Sequence, residues 1–390
     1  MRSVRTTALV RTVLTPAVVL RLLLGWGAFL ALSLAGPALS GPLPTPALFA
    51  VLAGIIAVII VCAFGVVTQA EHLAHRLGDP YGTLVLTLSI VLIEVILISA
   101  VMLGPGEHAT IARDSVTAVS MIILNLVIGL ALLVGGRRNA DLRPNHTGVS
   151  AYVSVLVVLT TVAFALPGLI GTEGSYTTGQ AFAIIALTVL LYVFFLYRQT
   201  GEQREDFQEP ALREASGAAD SAPEVEAAAR TPITTILSRN RTEVIVRTAV
   251  LVATVLPIVL LSHDMAALLD VGLDRAGAPI ALSGILIAMI VFLPETITAV
   301  RAAHTGEIQR VSNLCHGALV STVGLTIPAV LTIGLVTGQT VTLAETPTNL
   351  VLLGISLLLT LSTFTARRVT ALHGAAHLLV FAVYGITVFA

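Results

Sequence analysis

Apolar stretches of about twenty residues, each closed off by charge, Gly or Pro, recur along almost the whole chain. They lie near 20–40, 48–69, 81–103, 115–136, 149–170 and 179–199 and, after one polar gap, near 242–262, 279–303, 311–337, 349–366 and 371–390. At a rise of 1.5 Å per residue each is long enough to cross about 30 Å of hydrocarbon as a helix. The pattern predicts an all-α polytopic membrane protein of about eleven transmembrane helices. The first run carries Arg21 and is followed by Pro residues over 37–45 without a small-residue cleavage site, so it is expected to remain as a helix and not to act as a signal peptide.

Composition removes the soluble alternative. The 390 residues are 56% hydrophobic and only 11% charged, against roughly 25% charged in soluble domains. Every basic residue is Arg, and their placement sets the orientation. With the N-terminus cytoplasmic, Arg2, Arg5, Arg11, Arg76, Arg137, Arg138, Arg143, Arg301, Arg310, Arg367 and Arg368 fall inside, as do those of the central gap and its margins from Arg198 to Arg241. Only Arg113 and Arg275 fall outside, while Arg21 and Arg247 sit at inner helix ends. The positive-inside rule therefore puts the N-terminus in the cytoplasm and the C-terminus outside, in the cell membrane. The two cysteines, Cys62 and Cys315, both lie in apolar runs and support neither a disulfide framework nor a CxxC metal site.

The gap from Gly201 to Pro232 is acidic and rich in Ser, Ala, Gly and Pro, as expected of a flexible cytoplasmic linker over 200–241. It divides the ten helices after the first into five (48–199) and five (242–390), with 1–47 as an added N-terminal helix. An odd number of crossings makes the second set start from the opposite face, which is the arithmetic of an inverted repeat.

Of the 22 acidic residues, only Glu94 and Glu295 lie deep in apolar runs. Glu94 stands thirteen residues into LTLSIVLIEVILISAVML's span, or about 20 Å in at helical rise. Glu295, in GILIAMIVFLPETITAV, descends to a similar depth from the other face. A charge at that depth costs about 2.5–3.5 kcal/mol to insert and commonly marks an ion path or proton relay. The flanks repeat too, with GDPYGTLVLTLS before Glu94 and GAPIALSGILIA before Glu295. Pro294 deprives the Ile290 carbonyl of its helical donor, which makes that carbonyl a candidate ligand. The following helix of each half supplies neutral oxygens: Asn125 in the first, Ser321 or Thr322 in the second, with Asn313 and His316 nearer the cytoplasmic end. Small residues Gly129, Gly317, Ala318 and Gly324 favour close helix packing. His316 is a candidate proton relay because imidazole titrates near neutral pH.

Paired carboxylates with amide, hydroxyl and carbonyl oxygens suit a hard cation such as Ca2+. One Ca2+ or two protons would neutralise the pair, so competition between them is exchange. Ca2+ and H+ are then transported ions; no cofactor and no nucleic acid partner is called for. The blocks AEHLAHRLGDPYGTLVLTLSIVLIEVILISAVML, ARDSVTAVSMIILNLVIGLALLVGG and IVFLPETITAVRAAHTGEIQRVSNLCHGALVSTVGLTIPAVL resemble the two alpha-repeats of bacterial ChaA-type calcium/proton antiporters, within the cation/calcium exchanger superfamily. The resemblance implies eleven helices with a ten-helix inverted-repeat core, and cation and proton binding by Glu94 and Glu295. It also places Asn125 and the Ser321/Thr322 step at polar positions of the partner helices. Gly317-Ala318 departs from an expected Gly-Ser and removes one hydroxyl, weakening the preference for calcium over sodium or potassium. The alternative within transport is Na+(K+)/H+ antiport at the same site. An intramembrane enzyme is the alternative of another class, and neither HExxH nor GxSxG is present to support it.

Overall fold

A computed structural model describes residues 13–39, 43–77, 109–139, 141–210, 233–278 and 281–389, together with nine positions of the stretch 88–102. The described residues are almost wholly helical. In order, α1 spans Pro16–Leu39 and α2 Thr45–Leu77. The described residues between 88 and 102 belong to α3. Then follow α4 (Ile111–Arg138), α5 (His146–Ile170) and α6 (Thr178–Thr200). The second set is α7 (Ile233–Ala276), α8 (Ala281–Thr305), α9 (Ile308–Thr337), α10 (Pro347–Thr365) and α11 (Ala371–Val388). The Gly-x-Pro steps expected at 78–80 and 277–279 lie partly or wholly outside the described residues, as does most of the central linker.

Two helices run well past their expected ends. α2 continues to Leu77, and α7 is 44 residues long. Polar residues of these helices find partners within the same unit. Arg247, expected at an inner helix end, is buried and donates from Nε to Glu243 at 3.0 Å and from Nη1 to Gln69 on α2 at 3.1 Å. α8 is continuous through position 294.

The chain forms two compact units, each with helices from both halves. The first comprises residues 1–86 and 221–294. In it α2 packs along α7, and α1 joins both. Trp26 Nε1 donates to the Ala253 carbonyl at 3.0 Å, and Arg275 Nη1 to the Leu43 carbonyl at 2.7 Å. The outer face of α1 exposes Leu20, Leu23, Leu30 and Leu34, as a lipid-facing helix does.

The second unit comprises residues 87–220 and 295–390. α4 and α9 are its most enclosed helices. α9 packs on α5 and α6, and α11 lies along α4. At the ends where α9 leaves and α10 begins, loops interlock. Thr342 N donates to the Ala109 carbonyl at 2.8 Å, and Glu345 N to the Phe164 carbonyl at 3.0 Å.

Residues 201–209, expected as the start of a flexible linker, fold against this unit instead. Phe207 is buried among the rings of Tyr152 and Phe195. Its carbonyl accepts from Asn313 Nδ2 at 2.7 Å. Glu209 accepts from the backbone N–H groups of Gln309 (2.9 Å) and Arg310 (3.3 Å), capping α9. Burial pushes the Glu209 carboxyl up to about 7, against the lowering effect of those N–H donors and with help from nearby Glu307. A carboxyl raised on folding binds more protons in the folded state, so its stabilising contribution is complete below about 4.5 and declines as pH rises through about 7. Hydrogen-exchange protection of 201–209 is therefore expected to fall between about pH 5 and pH 8 after correction for intrinsic exchange. In Glu209→Gln that dependence should vanish; if it persists, another group is titrating.

Candidate ion-binding site

Glu94 is set by the inward stripe of α3. Val91, Ile98 and Met102 are buried on one face, whereas Leu92 and Ile96 are exposed on the other. This helical spacing turns Glu94 inward, where it is 5% exposed. On α8, Glu295 shares a buried face with Thr298, Ala299 and Ala302 and is 7% exposed. The two carboxylates lie within electrostatic reach of each other.

From α9, Thr322 Oγ1 donates to Glu94 Oε2 at 2.6 Å. Among the described residues, Glu94 Oε1 and both carboxylate oxygens of Glu295 have no hydrogen-bond partner. An unsatisfied buried polar oxygen costs about 1–3 kcal/mol, and more when charged, so the bare pair favours whatever positive species can enter. Helix phase gives Ser321 and Thr322 different partners. Thr322 faces Glu94, while Ser321 accepts from the Tyr192 hydroxyl of α6 at 3.0 Å.

Asn125 is fully buried in a wide π-helical turn, Ile122–Val127, inside α4. Ile128 N–H reaches back to the Ile123 carbonyl, a five-residue span. Such turns are frequent at functional positions. Asn125 Nδ2 donates to Ser356 Oγ on α10 at 2.7 Å, and its Oδ1 has no partner among the described residues. Among the described residues no hydrogen bond joins Asn125 to either carboxylate. Ile290 is a half-buried residue of α8 in the first unit.

His316 is fully buried on α9, its Nδ1 2.8 Å from Ser312 Oγ. Its ring meets Phe364 edge-on at 5.0 Å and lies 5.9 Å from that of Tyr152. Among the described residues Nε2 has no hydrogen-bond partner, and no hydrogen bond carries His316 to the glutamates. Asn313 bonds Gln309 and the Phe207 carbonyl, so it serves the cytoplasmic packing of residues 201–209. Sequence reading missed Ser356, Tyr192 and the buried His377, whose Nε2 is 3.2 Å from Thr363 Oγ1. A polar group inside an apolar span was the available signal for each.

The sodium/calcium exchanger protein family matches residues 47–201 and 246–390. The chain belongs to that family. Within it, the Escherichia coli (strain K12) sodium-potassium/proton antiporter ChaA is 31% identical over 340 residues, covering 85% of this chain and 87% of that protein. The solved structure of native YfkE overlays with a TM-score of 0.66 at 18% identity, covering 95% of this chain and 99% of that one. The crystal structure of the H+/Ca2+ exchanger CAX overlays with a TM-score of 0.62 at 15% identity, covering 95% and 89%. The chain is thus a multi-pass membrane transporter with the inverted-repeat exchanger fold.

Proposed function

We propose that this exchanger is a secondary transporter that moves cytoplasmic Ca2+ outward in exchange for external protons. The observation that carries the reading is the pair of buried carboxylates, Glu94 and Glu295, within electrostatic reach and with three of their four oxygens unpaired among the described residues. Empty, the pair is doubly negative and costly to hold away from water. One Ca2+ or two protons cancels that charge, so each cargo must leave before the other binds, and access alternates between faces. Thr322 and Asn125 supply neutral oxygens in this reading, and Ser321 is held in place by Tyr192. His316 serves as a proton relay only if water or another group joins it to the carboxylates. The N-terminus is cytoplasmic and the C-terminus external in the cell membrane, on the arginine distribution.

A second reading, Na+(K+)/H+ antiport at the same site, is favoured by the ChaA relative's name and by Ala318 standing where a hydroxyl was expected. Everted vesicles with an imposed pH gradient separate the two. Calcium/proton exchange predicts that Ca2+ dissipates the gradient saturably and that chelation abolishes the response. Flux that survives chelation and saturates with Na+ or K+ would replace calcium as the cargo. A gradient unmoved by any of the three ions would sink the exchanger reading.

A further inference from the structure

The polar partners of Asn125 are unequal, and the difference determines which way its amide points. Ser356 has one hydroxyl proton, and Leu352 O, one helical turn back on α10, lies 2.7 Å from Ser356 Oγ in position to take it. The Ser356 oxygen therefore faces Asn125 as an acceptor, 2.7 Å from Nδ2. The same Nδ2 lies 3.6 Å from Met121 Sδ, a second, weaker acceptor on α4 itself. With Ser356 and Met121 drawing both amide protons, the NH2 end is held to that side and Oδ1 is turned away, fully buried and without a partner among the described residues. Reversing the amide would bring Oδ1 against two acceptors and leave the NH2 group unpaired. A carbonyl-type oxygen is what a hard cation requires, whereas an NH2 group would repel one.

We propose that Ser356 is a positioning residue for cation binding: by accepting from Asn125 Nδ2, it presents Asn125 Oδ1 as a ligand. It lies on α10, a helix that carries none of the residues named in the proposed cation site. The inference rests on the proposed cation site. Met121 assists, and Asn125 itself stands in the wide turn at 122–127.

The test reads apparent Km and maximal rate for Ca2+, Na+ and K+ separately in proteoliposomes. Ser356→Ala should raise the Km of the transported cation about tenfold, with a smaller fall in maximal rate. Ser356→Thr and Ser356→Val share one shape and differ in the hydroxyl, so Thr should recover most of the affinity and Val little. Because Ser356 acts through Asn125, the Ser356→Ala/Asn125→Ala double variant should be no weaker than Asn125→Ala alone. Multiplying effects, or Thr no better than Val, would overturn the positioning role while leaving the cation site standing. If Asn125→Ala itself leaves every Km unchanged, the ligand assignment of Asn125 fails and the role of Ser356 falls with it.

Discussion

Glu94→Gln and Glu295→Gln should each cut Ca2+-evoked proton movement at least about a hundredfold in everted vesicles. Gln keeps the size of Glu, so the helices should still fold and pack. What changes is the charge balance. The wild-type pair offers two negative charges to one divalent ion, whereas either variant offers one, leaving an uncompensated positive charge among buried side chains. Breaking a buried pair by removing one partner costs about 3–5 kcal/mol, or between a hundred- and a few-thousand-fold in affinity. The proton arm fails too, because the site can take up only one proton where it took two. Glu94→Gln carries a second loss: the Thr322 hydroxyl, now 2.6 Å from a carboxylate oxygen, would meet a neutral amide. Ca2+/H+ exchange within about tenfold of wild type in either variant would remove the carboxylate pair from the mechanism. A Na+ response surviving in one single variant would point the other way, toward a monovalent cargo, since one remaining charge can still balance one such ion.

The carboxylate pair was legible because a charge in an apolar run carries its own cost, and only Glu94 and Glu295 carried it at depth. The repeat arithmetic then placed them at matching depth without any knowledge of side-chain direction. Thr322 was legible only as one of two adjacent hydroxyls. A step of one residue turns a helix by about 100°, so sequence alone could not say which of Ser321 and Thr322 faces the acid and which faces Tyr192. Ser356 was harder still. It stands among several hydroxyl residues on α10, each able to satisfy itself on its own helix, and so imposes no visible cost. Residues 201–209 were misread because acidic, Gly-containing composition describes what a segment can solvate, not what it docks against. Phe207, the lone aromatic in the gap, was the sign that part of it is buried. Arg247 was placed at an inner helix end because its partner on α2, Gln69, stands more than a hundred residues away.

Gly374 marks the other large effect, one of folding. An added Cβ there would stand 2.6 Å from the Gly129 carbonyl oxygen, 2.6 Å from Leu133 N and 3.0 Å from the Leu132 carbonyl carbon, all backbone of α4. Backbone inside a continuous helix cannot rotate aside, so α11 must move away from α4 as a body. In a membrane the helices are held by close packing, not by burial from water, and that separation forfeits the contacts that pair them. Gly374→Ala should destabilise the protein by about 1–3 kcal/mol, and Gly374→Val should yield little folded protein. Gly129→Ala provides the comparison from the facing helix. Its new methyl would meet mainly the Leu378 side chain, at 2.8 and 2.9 Å, with the Gly374 carbonyl at 3.1 Å. A leucine can change rotamer, so this variant should be the milder of the two. Detergent-solubilised thermal unfolding, read beside transport per folded molecule, checks the ranking. Since α4 also carries Asn125, the folded fraction of Gly374→Ala should bind its cation more weakly than wild type. A Gly129→Ala protein as unstable as Gly374→Ala would mean that side-chain crowding, and not backbone contact, limits how closely these helices approach.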